Sequence, residues 1–185
     1  MTPDRWPVFL RTEGDHGGDM SELLHNPGEV RAAVETAMSK GWPLANMMLV
    51  EFASDPIAPG LYRKHSVMRL GEAYTPFWNA SHTHWNVQGP GTPQSDEQLE
   101  EEWRQIRDNT FVEALKPAFE LSGVEYGRAD FGLVNGKPQV WEINLNPDMK
   151  RFGLDHASAV RRGTVALVEQ RFFEALTAID TPGSG

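Results

Sequence analysis

One stretch, GVEYGRADFGLVNGKPQVWEINLNPD (residues 123–148), limits what this chain can fold into more than any other. Two runs with strand-like alternation, 125–133 and 139–144, flank an Asn-Gly pair, the strongest short-range signal for a tight β-hairpin. Side chains repeat every two residues along a strand, so Arg128 and Asp130 share one face of the first run. Glu142, Asn144 and Asn146 share one face of the second.

Whether the two polar sets meet depends on the turn. A two-residue Asn135-Gly136 loop pairs Val134 with Lys137, sets Asp130 opposite Trp141 and sends Glu142 to the other face. A three-residue loop pairs Leu133 with Lys137, sets Asp130 opposite Val140 on the face of Glu142, and Arg128 opposite Glu142. Asn-Gly favours the shorter loop, whereas Gly136 suits the left-handed last position of the longer one. A slip of one residue exchanges the faces completely. With the three-residue loop, two carboxylates and an amide oxygen converge. These are hard donors suited to Mg²⁺, which takes one or two protein carboxylates with phosphates and water. The bland alternative is a solvated hairpin face with an Arg128–Glu142 cross-strand pair.

The rest of the chain supplies a frame for this hairpin. Residues 7–10 (PVFL) read as a buried strand, followed by the Gly- and Asp-rich RTEGDHGGDM. The i, i+3, i+4 spacing of Val30, Ala33, Val34, Ala37 and Met38 predicts a helix from about Gly28 to Lys40, closed by Gly41. Residues 46–53 read as an apolar strand, 62–70 and 73–78 as a hairpin around Gly71-Glu72, and 80–87 as a further strand. QGPGTPQS (88–95) reads as a linker, 96–107 and 110–121 as helices, and 157–179 as a last amphipathic helix. Interleaved helices and hairpins predict an α+β fold with a mainly antiparallel sheet and flanking helices. The expected division is 1–53, 54–180 and a frayed tail, 181–185.

Composition narrows the function. A net charge of −9 argues against general nucleic-acid binding. With no cysteine there is no disulfide framework, zinc–thiolate site or thiol nucleophile, which fits a reducing cytoplasm. No apolar window is long enough to span a membrane, and the N-terminal stretch has no signal-peptide pattern.

The pattern R-x-D-F, a short hairpin, then W-E-I-N-x-N-P resembles the metal-binding end of the ATP-grasp superfamily. That resemblance implies that Asp130, Glu142 and Asn144 hold the Mg²⁺ that bridges ATP phosphates, and that Arg128 steadies the transferred phosphoryl group and a tetrahedral intermediate. Asn146 extends the pattern without a settled role. Arg11 with the loop containing His16 and Gly17 resembles the strand and loop that cover the phosphates, with Arg11 where the family usually has Lys. Residues 48–53, with Glu51 and Phe52, resemble the strand that binds adenine through its backbone, and Asp55 lies near an expected ribose contact. Tyr62-Arg63-Lys64 resembles the strand with a basic residue facing the phosphates. Arg63 and Lys64 point to opposite faces, and Arg63 is taken as the cleft-facing one.

The implied activity is an ATP-dependent carboxylate–amine ligase acting through an acyl phosphate, with ATP and a small-molecule carboxylate as partners. The resemblance begins at the phosphate-loop strand, where a complete enzyme of this class has an earlier domain. The alternative is therefore a truncated or non-catalytic nucleotide-binding module that needs a missing N-terminal segment or a protein partner. His82 and His84, on one face of a strand, form a second candidate metal site, with a non-ligating pair as the favoured reading. Trp78, Trp85 and Trp141 read as core residues, and the acidic run 97–102 as a helix N-terminal segment.

Overall fold

The computed structural model describes residues 3–13, 19–88, 91–147 and 156–180, apart from the side chains of residues 78 and 180. The chain divides into two units, Met1–Ala53 and Ser54–Gly185.

In the first unit, β1 (Val8–Thr12) pairs antiparallel with β2 (Met47–Glu51), from Val8 opposite Glu51 to Thr12 opposite Met47. Val8, Leu10 and Thr12 are buried, the period-two pattern of a strand with one covered face. Helix α1 (Pro27–Ser39) starts where Asn26 Oδ1 accepts from the amides of Gly28 and Glu29, with proline in the first turn. Glu29 closes this cap by accepting from Asn26 Nδ2 and the His25 amide.

In the second unit, four strands lie in the order β4 (Ala73–His82), β3 (Tyr62–Leu70), β5 (Tyr126–Val134), β6 (Lys137–Asn144). Every strand pairing in both units is antiparallel among the described residues. The architecture is α+β with an antiparallel sheet and flanking helices. Adjacent residues of β3 point to opposite faces, and both faces are covered. Val67, Ala129 and Phe131 pack on Val112, Leu115 and Phe119 of α3 (Val112–Ser122). Met68, Leu70 and Phe77 pack with Ile106 of α2 (Asp96–Arg107) and with Val168 and Ala175 of α4 (Ala159–Asp180). Helix α2 opens with a capping box between Ser95 and Gln98.

No separate strand forms over 80–87. Instead β4 continues to His82, and then the chain bends. The reason is local: His82 Nδ1 accepts from the His84 amide at 2.9 Å, and His84 Nδ1 from the Asn86 amide at 3.2 Å. Side-chain acceptors thus take the amides that a ladder would need. Among the described residues no helix is long and apolar enough to cross a membrane.

Candidate functional site

The β5–β6 hairpin closes with the shorter loop. Val134 pairs with Lys137, and Asn135 and Gly136 have φ of 51° and 74°, the two left-handed residues of a type I′ turn. That corrects the three-residue expectation, yet the acidic residues still meet. The ladder runs regularly to Phe131 opposite Val140 and then shifts, so that Asp130 pairs with Glu142 and Arg128 with Asn144. Trp141 is the extra residue of a β-bulge, and this insertion reverses the face parity of everything beyond it on β6. Asp130, Glu142, Arg128 and Asn144 therefore lie on one face, as direct cross-strand pairs do. The expected Arg128–Glu142 pairing is replaced by Arg128–Asn144.

Gly132 makes room for the bulge. A Cβ there would come within 2.6 Å of both Trp141 Cζ2 and Ser54 Oγ, so the indole edge and the serine occupy the space a side chain would fill.

Asp130 is nearly inaccessible, at 2% exposure. Its Oδ1 accepts from Ser66 Oγ at 2.8 Å and from Arg128 Nε at 2.8 Å. Its Oδ2 accepts from Arg128 Nη2 at 3.1 Å and lies 3.2 Å from Lys64 Nζ. Burial works to raise its pKa. The Arg128 hydrogen bonds, the Lys64 and Arg128 charges and the Ser66 hydroxyl outweigh that and hold the carboxyl below its ordinary range. Glu142 is exposed, and Asn144 Oδ1 accepts from the Asn146 amide at 2.9 Å.

Of the two neighbouring basic residues, Lys64 reaches Asp130. The expectation for Arg63 is corrected: its side chain is buried and Nη1 donates to Glu101 Oε2 of α2 at 2.7 Å. Strand parity requires this once Ser66 is paired with Asp130, because Lys64 and Ser66 share a face and Arg63 does not. Sequence reasoning does not single out Ser66, and it sets Lys64 aside in favour of Arg63. The signal was Lys64-x-Ser66 on the strand next to Arg128-x-Asp130, legible only once the two strands are known to be neighbours.

Behind Arg63 lies a buried polar layer. His65 sits against the Phe111 and Phe131 rings, and burial, helped by the Arg63 charge, lowers its pKa to about 4. Glu102, the last residue of the acidic run read as a helix N-terminal segment, is fully buried. It accepts from the Asn79 amide at 2.6 Å and from Arg161 Nη1, joining α2 to β4 and α4.

The remaining predicted residues are placed as follows. Asp55 Oδ2 accepts from the Asn135 amide at 2.6 Å, so its carboxylate fastens the hairpin turn. In the first unit, Glu51 Oε1 accepts from the amides of Asp4 and Arg5, and the Phe52 amide donates to Pro7 O. Arg11 lies opposite Met48, and its buried Nε has no hydrogen-bond partner among the described residues. His16 and Gly17 lie outside the described residues. At His82 and His84 each Nδ1 is already an acceptor. No cluster of three His, Cys, Asp or Glu able to hold a metal occurs among the described residues.

No protein-family model and no curated protein matches the sequence. Solved structures do. An L-amino acid ligase from Bacillus licheniformis matches with a TM-score of 0.45 and 13% identity, covering 79% of this chain and 33% of the ligase. A D-alanine–D-alanine ligase from Bacillus anthracis, complexed with ATP, matches with a TM-score of 0.45 and 16% identity over 96% of this chain and 54% of that one. The corresponding ligase from Coxiella burnetii matches with a TM-score of 0.44 and 16% identity over 94% and 47%. The chain thus spans from a third to about half the length of these proteins. At this level of similarity, residue roles rest on the chemistry of this chain.

Proposed function

We propose that this chain is the Mg-ATP-binding portion of a carboxylate–amine ligase that works through an acyl phosphate. The observation that carries this reading is the direct pairing of Asp130 with Glu142, flanked by Arg128 and Asn144 on the same face.

The donor set fits a hard divalent cation. Glu142 is exposed, and the Asn144 carbonyl oxygen, with one hydrogen bond from Asn146, keeps a lone pair to offer. Asp130 can join them if it gives up one of its four contacts. When bound, Mg²⁺ would neutralise charge on the phosphate oxygens of ATP.

The other roles belong to cations of this chain. Arg128, held in a fixed fork by Asp130, presents a guanidinium beside the donors, where negative charge develops on a transferred phosphoryl group or a tetrahedral carbon. Lys64 adds a point charge on a flexible stem. Arg63 is assigned a positioning role instead, tying β3 to α2 through Glu101. In the first unit the motif resemblance supports a separate reading, nucleotide contact by Arg11, His16, Gly17 and the backbone of Glu51 and Phe52. Asp55 would contribute through the hairpin turn that it fastens.

A second reading is a nucleotide-binding module that acts with a protein partner. It is favoured by apolar side chains left exposed in the first unit: Trp42, Leu44, Met48 and Leu49.

Calorimetry with Mg-ATP tests the site, and Glu142→Ala should abolish Mg-dependent binding while the thermal melt is retained. Unchanged affinity would remove the basis of the proposal. Turnover with candidate acids and amines then separates the readings, since a module binds Mg-ATP without consuming it.

A further inference from the structure

The four contacts of Asp130 have a consequence for cation binding. A carboxylate offers about four lone-pair positions; here Ser66 Oγ, Arg128 Nε and Arg128 Nη2 take three of them by hydrogen bonds, and the Lys64 ammonium lies 3.2 Å from Oδ2 as an ion pair. A divalent ion that uses Asp130 must displace one. Ser66 is the direct cross-strand partner of Asp130 and is buried, so its hydroxyl has no other place to go. Arg128 grips both oxygens from two residues away on the same strand, and its fork is largely covered. Lys64 makes the longest contact, through a single nitrogen on a four-carbon stem, and is the most exposed of the three at 24%.

We infer that Lys64 is a built-in competitor cation: it neutralises Asp130 until a divalent ion arrives, and it must leave Asp130 for that ion to bind. This rests on the metal reading above and adds to it a rule for the order of binding. A free divalent ion has to displace an ammonium that then lacks a partner. An ion arriving with a polyphosphate brings an anion that can take over the released Lys64. The lysine therefore disfavours cation binding alone and favours binding of the cation–phosphate complex, a positive coupling between the two ligands.

Titration with Mn²⁺ alone, reading the free ion by electron paramagnetic resonance, tests this in the full chain. Lys64→Gln should bind Mn²⁺ roughly tenfold more tightly than the native protein, the scale expected for removing one partly exposed like charge beside the site. Lys64→Arg, which keeps the charge, should bind no more tightly than the native protein. Lys64→Met, which keeps the apolar stem, replaces the glutamine variant if that one melts early. A lysine with only a structural role predicts equal or weaker Mn²⁺ binding in the neutral variants, and that result overturns the inference while leaving the metal site standing. Absence of binding in the native protein and in every variant overturns the metal reading and the inference together.

Discussion

Asp130 and His65 sit on neighbouring strands and solve opposite problems of burial. Asp130 stays charged because two cations and a hydroxyl replace the water it lost. His65, the register partner of Phe131, has the Arg63 charge nearby and aromatic rings around it, and so stays neutral, with its pKa lowered to about 4. Its folded value is depressed below the ordinary 6.5. The stabilisation tied to its neutral form is therefore complete above pH 6.5 and is lost as the pH falls towards 4. The shift corresponds to about 3 kcal/mol at full protonation. Chemical denaturation at pH 7 and pH 4.5 should show His65→Leu losing less stability on acidification than the native protein. Equal losses would mean that His65 is not the group that titrates. Strand parity could be read for Arg63 and Lys64 from the sequence alone, but not which of them faces the carboxylates. That depends on the neighbour of β3, a non-local fact.

At the scale of elements, the β5–β6 hairpin decides whether there is a site. Its turn chemistry was legible, since Asn135-Gly136 closes the loop that this dipeptide ordinarily closes. The bulge was not, because its cause lies in a third segment. Ser54 and the Trp141 ring share the space beside Gly132, and only tertiary packing brings them there. Gly132→Ala should therefore cost about 1–3 kcal/mol, the range for forcing a methyl into a filled site, and should also weaken cation binding by disturbing the bulge that turns Glu142 towards Asp130. Thermal melts and Mn²⁺ titration together check this. A variant with native stability and native affinity would show that the bulge does not depend on this close approach. The helices were easier to read. Helix α2 spans Asp96–Arg107, the range read from the sequence, whereas the strand expected over 80–87 gave way to local histidine–amide bonds.

Across the whole molecule, the α+β class and the antiparallel pairing were readable from the interleaving of helical and hairpin patterns. The covering of both sheet faces was not, because it depends on which helix returns to which face. Asp130, Glu142, Asn144, Arg128, Lys64 and Ser66, the residues named for the proposed cation site, all belong to the second unit. A chain with a net charge of −9 thus gathers two cations around one buried carboxylate, a local concentration of positive charge that bulk composition does not reveal. The most direct measurement is a crystal structure of the protein with Mn²⁺ and a non-hydrolysable ATP analogue, with the metal located by its anomalous signal. The expected result is an ion bound by oxygens of Glu142, Asn144 and Asp130, at about the 2.1 Å typical of a small hard divalent cation, with Lys64 turned away from Asp130. An ion bound elsewhere, with Asp130 keeping all four of its present contacts, would contradict it.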